Sequence, residues 1–149
     1  MPYRSIVVGT DGSETAERAV QHAGQMAVDH GARLVVVTAY EPHDDQLVKE
    51  SGGVPDDIRW ALTDRVQAEE RALHGRGIAR ALGVDGVVAQ AIAGSPPDVL
   101  LEAAQDFDAD VIVVGSKGLT GAARFVLGSV ASSVAHHAPC DVCIVHTTD

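Results

Sequence analysis

The sequence is short of aromatic residues and rich in aliphatic ones. Aromatic side chains make up only 3% of its 149 residues, whereas hydrophobic residues make up 46%. A core must therefore be built from Val, Ala, Leu and Ile, which is typical of parallel strands buried beneath helices. A chain of this length fits one domain, and we expect residues 1–149 to form it.

The shortage of positive charge argues against two classes of partner. Eleven Lys and Arg residues stand against 21 Asp and Glu residues, which gives a formal net charge of -10. Nonspecific nucleic-acid binding needs a basic face, and an acidic chain is repelled by anionic membranes. We therefore expect no nucleic acid and no membrane as partner. Any phosphate ligand must be held locally, chiefly by backbone N–H groups.

Long apolar runs are missing, and cysteine is scarce. No run approaches the roughly 20 apolar residues of a membrane span, and the first residues lack the pattern of a signal peptide. Two cysteines, Cys140 and Cys143, are too few for a secreted disulfide scaffold. These features predict a cytoplasmic protein.

Strand-like hydrophobic runs alternate with helical patterns along the chain. The predicted elements are strand 5–9, helix 14–30, strand 33–40, helix 58–82, strand 87–92, helix 96–107, strand 110–115, helix 129–137 and strand 141–146, with a long mobile loop over 41–57. This alternation predicts an α/β fold, with a parallel sheet and helices on both faces. Ligands of such sheets bind beyond the carboxyl ends of the strands, where the strand order reverses.

A glycine-rich segment joins the fourth predicted strand to the last predicted helix. Gly115, Gly118 and Gly128-Ser129 have the spacing G-x2-G-x9-G-S. Glycines let the backbone approach a ligand closely, and the start of a helix favours phosphate. Lys117 and Arg124 can add local positive charge. The spacing is neither a Walker A loop nor a dinucleotide fingerprint, and its alternative is an ordinary loop with glycines for tight packing.

Five segments resemble the universal stress protein family in its nucleotide-binding form. They are 7–13 (VVGTDGS), 94–96 (GSP), 113–121 (VVGSKGLTG), 127–130 (LGSV) and 137–140 (HAPC). The resemblance covers nearly the whole chain, and the glycine spacing that marks the family's ATP-binding members is intact. Asp141 and Cys143 depart from the pattern, since relatives often carry proline and an aliphatic residue there.

The resemblance implies an open five-stranded sheet in the order 3-2-1-4-5 that binds ATP or another adenine nucleotide (AMP or cyclic AMP), with or without Mg²⁺. It places adenine beside the first two strand ends, and ribose and phosphates along the glycine-rich segment. The candidate binding residues are Thr10, Asp11, Ala39, Gly94, Val114, Gly115, Lys117, Gly118, Arg124, Gly128, Ser129 and Val130. Asp11 can accept hydrogen bonds from the ligand, or can only form an Asx turn or a helix cap.

The leading hypothesis is a regulatory adenine-nucleotide-binding protein of the stress response. One alternative is a slow Mg²⁺-dependent ATP hydrolase or phosphotransferase, in which Asp11 helps to hold the metal and the 41–57 loop closes over the phosphates. Another is an interaction module with a vestigial pocket. The apolar last strand leaves a sheet edge that needs covering, and in the resembling family a twofold mate covers it. This predicts a homodimer through residues 142–145.

Histidines and cysteines near the C-terminus invite a metal-site interpretation. They are His136, His137, Cys140, Cys143 and His146, and they include a C-x-x-C spacing. If this segment is extended, however, side chains three residues apart point to opposite faces of the sheet. We therefore set this series aside as a metal site, and expect Cys143 among core residues or at an interface.

Overall fold

In a computed structural model, five parallel strands form one sheet in the order β3-β2-β1-β4-β5. The structure describes residues 2–41, 55–116 and 128–146. Its elements are β1 (Ser5–Gly9), α1 (Glu14–His30), β2 (Arg33–Tyr40), α2 (Pro55–Leu82), β3 (Val87–Ala93), α3 (Pro96–Asp106), β4 (Val111–Gly115), α4 (Ser129–His137) and β5 (Asp141–Val145). The predicted fold class and strand order are confirmed.

Helices cover both faces of the sheet, and each face has its own aliphatic cluster. Neighbouring residues of β1 illustrate the division, because Val8 packs in the cluster under α1 and α2 while Val7 packs in the cluster under α3 and α4. Both side chains are fully buried. Burial on both faces explains why the central strands are continuous apolar runs with no polar alternation.

The limits of α1 follow from local chemistry, as predicted. Ser13 caps the helix, since its side-chain oxygen accepts a hydrogen bond from the Ala16 N–H at 3.2 Å. Glu14 and Glu17 lie in the first turn, where negative charge complements the helix dipole. Gly31 ends the helix with φ 64°, a left-handed conformation that glycine adopts without strain.

Helix α2 begins earlier than expected. It starts at Pro55, whereas the sequence predicted a loop through residue 57, so the last three residues of that loop belong to the helix. Proline is well suited to a first helical turn because its missing N–H would have no partner there. Of the other ends, one each in β3, α3, β4 and β5 differs from the prediction by one residue, and the rest agree with it. Residues 42–54 lie outside the described part of the chain.

The amino edge of the sheet, where the strands begin, is held by a hydrogen-bond network. Asp110 accepts hydrogen bonds from the backbone N–H groups of Arg4 at 2.7 Å and Ser5 at 3.0 Å. These two donors hold the pKa of the Asp110 carboxyl below its usual value. Arg33 donates to the Ser5 hydroxyl at 3.1 Å and to the carbonyl of Phe107, and its guanidinium lies over the Phe107 ring.

Among the described residues, no helix is both long enough and apolar enough to cross a membrane.

Candidate functional site

A cavity lies at the carboxyl edge, where the strands end. It opens between the ends of the neighbouring strands β1 and β4, whose following helices α1 and α4 lie on opposite faces of the sheet. The gap between diverging connections is the usual ligand site of an open α/β sheet. The residues that surround these two strand ends therefore determine which ligand the cavity can bind.

The floor of the cavity is apolar. Val37 and Val114, from β2 and β4, line it beside Val99 and Leu100 of α3. All four are at most 4% exposed and belong to the aliphatic cluster under α3 and α4. Such a surface suits a flat apolar group, and a purine base has one.

The rim beside α1 is polar and preorganised. The Asp11 carboxylate accepts a hydrogen bond from the Ser13 N–H at 2.9 Å, and the Thr10 hydroxyl accepts one from the Gly12 N–H at 3.1 Å. Gly12 has φ 83°, which allows this tight turn. Asp11 thus forms the Asx turn considered above, and the same turn holds its exposed carboxylate at the cavity.

Helices α1 and α4 both begin at this cavity, and their first turns differ in charge. Helix α1 starts with the Ser13 cap and two glutamates. Helix α4 has Gly128 at its N-cap, which has no side chain to cap the helix, and its first turn carries no acidic residue. The first N–H groups of a helix have no partner within the helix. The start of α4 is therefore suited to an anion, and the start of α1 is not.

Most of the predicted binding residues lie together. Those that line the cavity are Thr10, Asp11, Ala39, Val114, Gly115, Gly128 and Val130. Ser129 is the exposed first residue of α4, between two of them, but is not itself among the lining residues. Gly94 is not among them either; its N–H donates to the Tyr40 carbonyl at 2.9 Å and its φ is 142°. Lys117, Gly118 and Arg124 lie outside the described residues.

Several lining residues were absent from the prediction. They are Gly9, Ser13, Thr15, Ala16, Ala19, Val37, Pro96, Val99, Leu100 and Ala131. Most are small or apolar and resemble ordinary core residues in sequence. The sequence could have indicated some of them. In a parallel sheet, the turn after each strand places the first turn of the next helix at the carboxyl edge.

The two cysteines face opposite sides of the sheet, as predicted. Cys143 packs against the cluster under α1 and α2, and Cys140 against the cluster under α3 and α4. Burial raises the pKa of both thiols. Cys143 Sγ lies 3.9 Å from Nε2 of His22 on α1. Within the described part of one chain, no three His, Cys, Asp or Glu side chains form a group that could hold a metal ion.

Comparison with known proteins identifies the family. Residues 2–146 match the sequence model of the universal stress protein family. The chain belongs to this family. A universal stress protein of Mycobacterium tuberculosis is 37% identical over 147 residues, which is 98% of each chain. A universal stress protein of Thermus aquaticus is 36% identical over 143 residues, covering 96% of this chain and 98% of the relative.

Solved structures of universal stress proteins share the architecture. One, in complex with cAMP, is 34% identical with a TM-score of 0.74, and the match covers 99% of this chain and 100% of the other. Another, from Archaeoglobus fulgidus in complex with dAMP, is 27% identical with a TM-score of 0.67, covering 97% and 99%. Both of these relatives hold adenine nucleotides.

Proposed function

We propose that this universal stress protein binds an adenine nucleotide at the carboxyl edge of its sheet and serves as a cytoplasmic regulator of the stress response. One observation carries the proposal: an apolar floor and a helix start without a side-chain cap lie on the same cavity. A nucleotide presents the matching pair of groups, a flat base and a phosphate. The cAMP and dAMP complexes of its relatives support the same ligand class.

The charges around the cavity orient the nucleotide. The phosphates belong at the start of α4, where N–H groups face the ligand. Glu14 and Glu17 would repel phosphate at the start of α1. The base and ribose then lie beside Thr10, Asp11 and Ala39, at the ends of β1 and β2. Asp11 is placed to accept a hydrogen bond from a ligand N–H or hydroxyl group.

The ligand class in this proposal includes ATP, AMP and cyclic AMP. The described lining supplies backbone donors, hydroxyl groups and the Asp11 carboxylate. The triphosphate of ATP would additionally need positive charge, for which the sequence offers Lys117 and Arg124. Mg²⁺ would arrive with ATP, and Asp11 is the lining carboxylate that could help to hold it.

We also propose that the protein forms a homodimer through β5. Asp141 N–H donates to the Asp110 carbonyl and Ser116 N–H donates to the Val145 carbonyl, so these backbone groups of β5 face β4. Because backbone direction alternates along a strand, Val142 and Ile144 direct theirs outward. Ile144 is also 37% exposed. Among the described residues β5 is an edge strand, and an apolar edge strand favours pairing with a second copy.

Equilibrium binding tests the ligand class. We expect calorimetric titration of the purified protein to show binding of at least one of ATP, AMP and cyclic AMP. Gly128 has φ -60° and ψ 160°, which any residue adopts, so Gly128→Val adds bulk at the cavity without backbone strain. We expect it to weaken binding by at least about tenfold, or about 1.4 kcal/mol.

Gly86→Val is the matched control. Gly86 lies before β3, and a Cβ there meets nothing closer than 3.6 Å. This variant should bind like the wild type, and thermal unfolding should show that both variants are folded. Absence of measurable binding of all three nucleotides to the wild type would overturn the proposal.

A further inference from the structure

A cysteine and a histidine meet beside the open edge of the sheet. Cys143 is the middle residue of β5, and His22 reaches it from α1, with 3.9 Å between Sγ and Nε2. Thiolate and imidazole are the preferred ligands of zinc, at about 2.3 Å and about 2.0 Å, so two such ligands in a tetrahedron stand about 3.5 Å apart. The pair therefore has nearly the spacing of two zinc ligands, with half of a four-ligand set present in one chain.

The backbone of β5 decides what a second copy would bring to this pair. Cys143 lies midway between Asp141 and Val145, whose backbone groups face β4, so its own backbone also faces β4. In the twofold antiparallel register that is centred on Cys143, Val142 would exchange hydrogen bonds with the partner's Ile144. Cys143 would then lie directly opposite the partner's Cys143 as a non-hydrogen-bonded pair. The Cα atoms of such pairs are about 4.5 Å apart, with the side chains close together.

Directly opposite residues of an antiparallel pair project from the same face of the sheet. On that face Cys143 is accompanied by α1 and its exposed His22. The twofold axis would bring the same arrangement from the second copy. Two thiols and two imidazoles would thus converge on the axis, and neither chain holds the set alone.

We propose that dimerisation through β5 creates a zinc-type metal site from Cys143 and His22 of both copies. This inference rests on the homodimer proposed above, and not on nucleotide binding. On metal binding each thiol gives its proton to solvent as the sulfur–metal bond forms, and each imidazole ligates in its neutral form through Nε2. No oxidation state changes. The site uses none of the other residues of the C-terminal series, and Cys140 lies on the opposite face of the sheet.

Cobalt provides a spectroscopic probe for this site. The protein is stripped with EDTA, kept reduced with a phosphine, and titrated with Co²⁺ while absorbance is recorded. We expect one Co²⁺ per two chains, with thiolate-to-cobalt charge-transfer absorption. Sedimentation should show that Zn²⁺ tightens the dimer by at least about tenfold. Cys143→Ser and His22→Gln should abolish both the effect of Zn²⁺ on the dimer affinity and the thiolate-to-cobalt absorption.

Two control variants test whether the site is specific. Cys140→Ser and His136→Gln change the same residue types elsewhere, and both should behave like the wild type. Because His22 is exposed, His22→Gln is expected to fold even if Cys143→Ser does not.

Several results would overturn the inference. An EDTA-resistant dimer that shows no thiolate-to-cobalt absorption would contradict the proposed metal site but agree with the proposed dimer. A protein that stays monomeric with and without metal would contradict both the metal site and the dimer. A dimer broken by reductant and not by chelator would show a Cys143 disulfide in place of a metal site. Nucleotide titration of the same samples reports separately on the proposed ligand site.

Discussion

The two edges of the sheet are formed by the same five strands and differ in how their polar groups are used. At the amino edge, Asp110, Ser5 and Arg33 form hydrogen bonds with one another and with the surrounding backbone. At the carboxyl edge, α4 starts without a side-chain cap beside a cavity. This difference indicates that the amino edge stabilises the fold and that the carboxyl edge binds the ligand. Substitutions at the amino edge should unfold the protein without changing its affinity, and substitutions at the carboxyl edge should do the reverse.

The largest expected effect is at the amino edge. Asp110→Ala removes the acceptor of two backbone N–H groups, one of them on the buried Ser5, and should cost about 2 kcal/mol of unfolding free energy. Urea denaturation measures the loss. Nucleotide affinity of the folded fraction should stay the same. A tenfold loss of affinity would show that the two edges are coupled, contrary to their proposed separate roles.

The next effect is at the carboxyl edge. Ala39 lines the cavity at the end of β2, and Ala39→Leu places three more carbon atoms where the base is proposed to lie. We expect calorimetry to show at least about tenfold weaker nucleotide binding, or about 1.4 kcal/mol. Ala93→Leu, at an exposed position on the same edge, is the control and should bind normally. Equal affinities for the two variants would contradict the proposed position of the base.

A smaller effect separates the two roles of Asp11. Asp11→Asn keeps an oxygen for the Asx turn to Ser13 but replaces the charged acceptor that faces the cavity. Stability should hardly change, while affinity should fall by roughly fivefold, or about 1 kcal/mol. Asp85→Asn controls for the lost surface charge. If both variants bind like the wild type, Asp11 serves the turn only.

The smallest effect is a pH dependence confined to the amino edge. The pKa of Asp110 is lowered from 3.8 by its backbone donors, so its charged form is favoured in the folded state. Its contribution to stability is fully present above the unfolded pKa and is lost as the pH falls through the folded pKa. The stability gap between wild type and Asp110→Asn in urea denaturation should therefore narrow between pH 6 and pH 2. A gap that widens on acidification would contradict this sign.

The sequence predicted those features that local chemistry determines. The cap at Ser13 and the left-handed Gly31 set the limits of α1, and both are readable from residue type alone. The strand order came from the family resemblance, since alternating elements specify a parallel sheet without specifying its order. The start of α2 at Pro55 was missed because a polar stretch that reads as loop continues into its first turn.

The cavity was only partly predictable for a tertiary reason. Val99 and Leu100 look like core residues, yet they line the floor of the cavity that opens between the ends of β1 and β4. His22 and Cys143 are 121 residues apart, and no local spacing relates them. Contacts of this kind depend on which strands are neighbours in the sheet. The pattern of hydrophobic residues along one sequence does not specify that order.

Amide chemical shifts during a titration with AMP test the central claim most directly. We predict that the largest shifts fall on residues 128–131 at the start of α4 and on Thr10 and Asp11, and that the shifts at the start of α4 disappear when adenosine replaces AMP. Ser5 and Asp110, at the amino edge, should not shift. Shifts at the amino edge, or equal shifts at the start of α4 with adenosine and AMP, would contradict it.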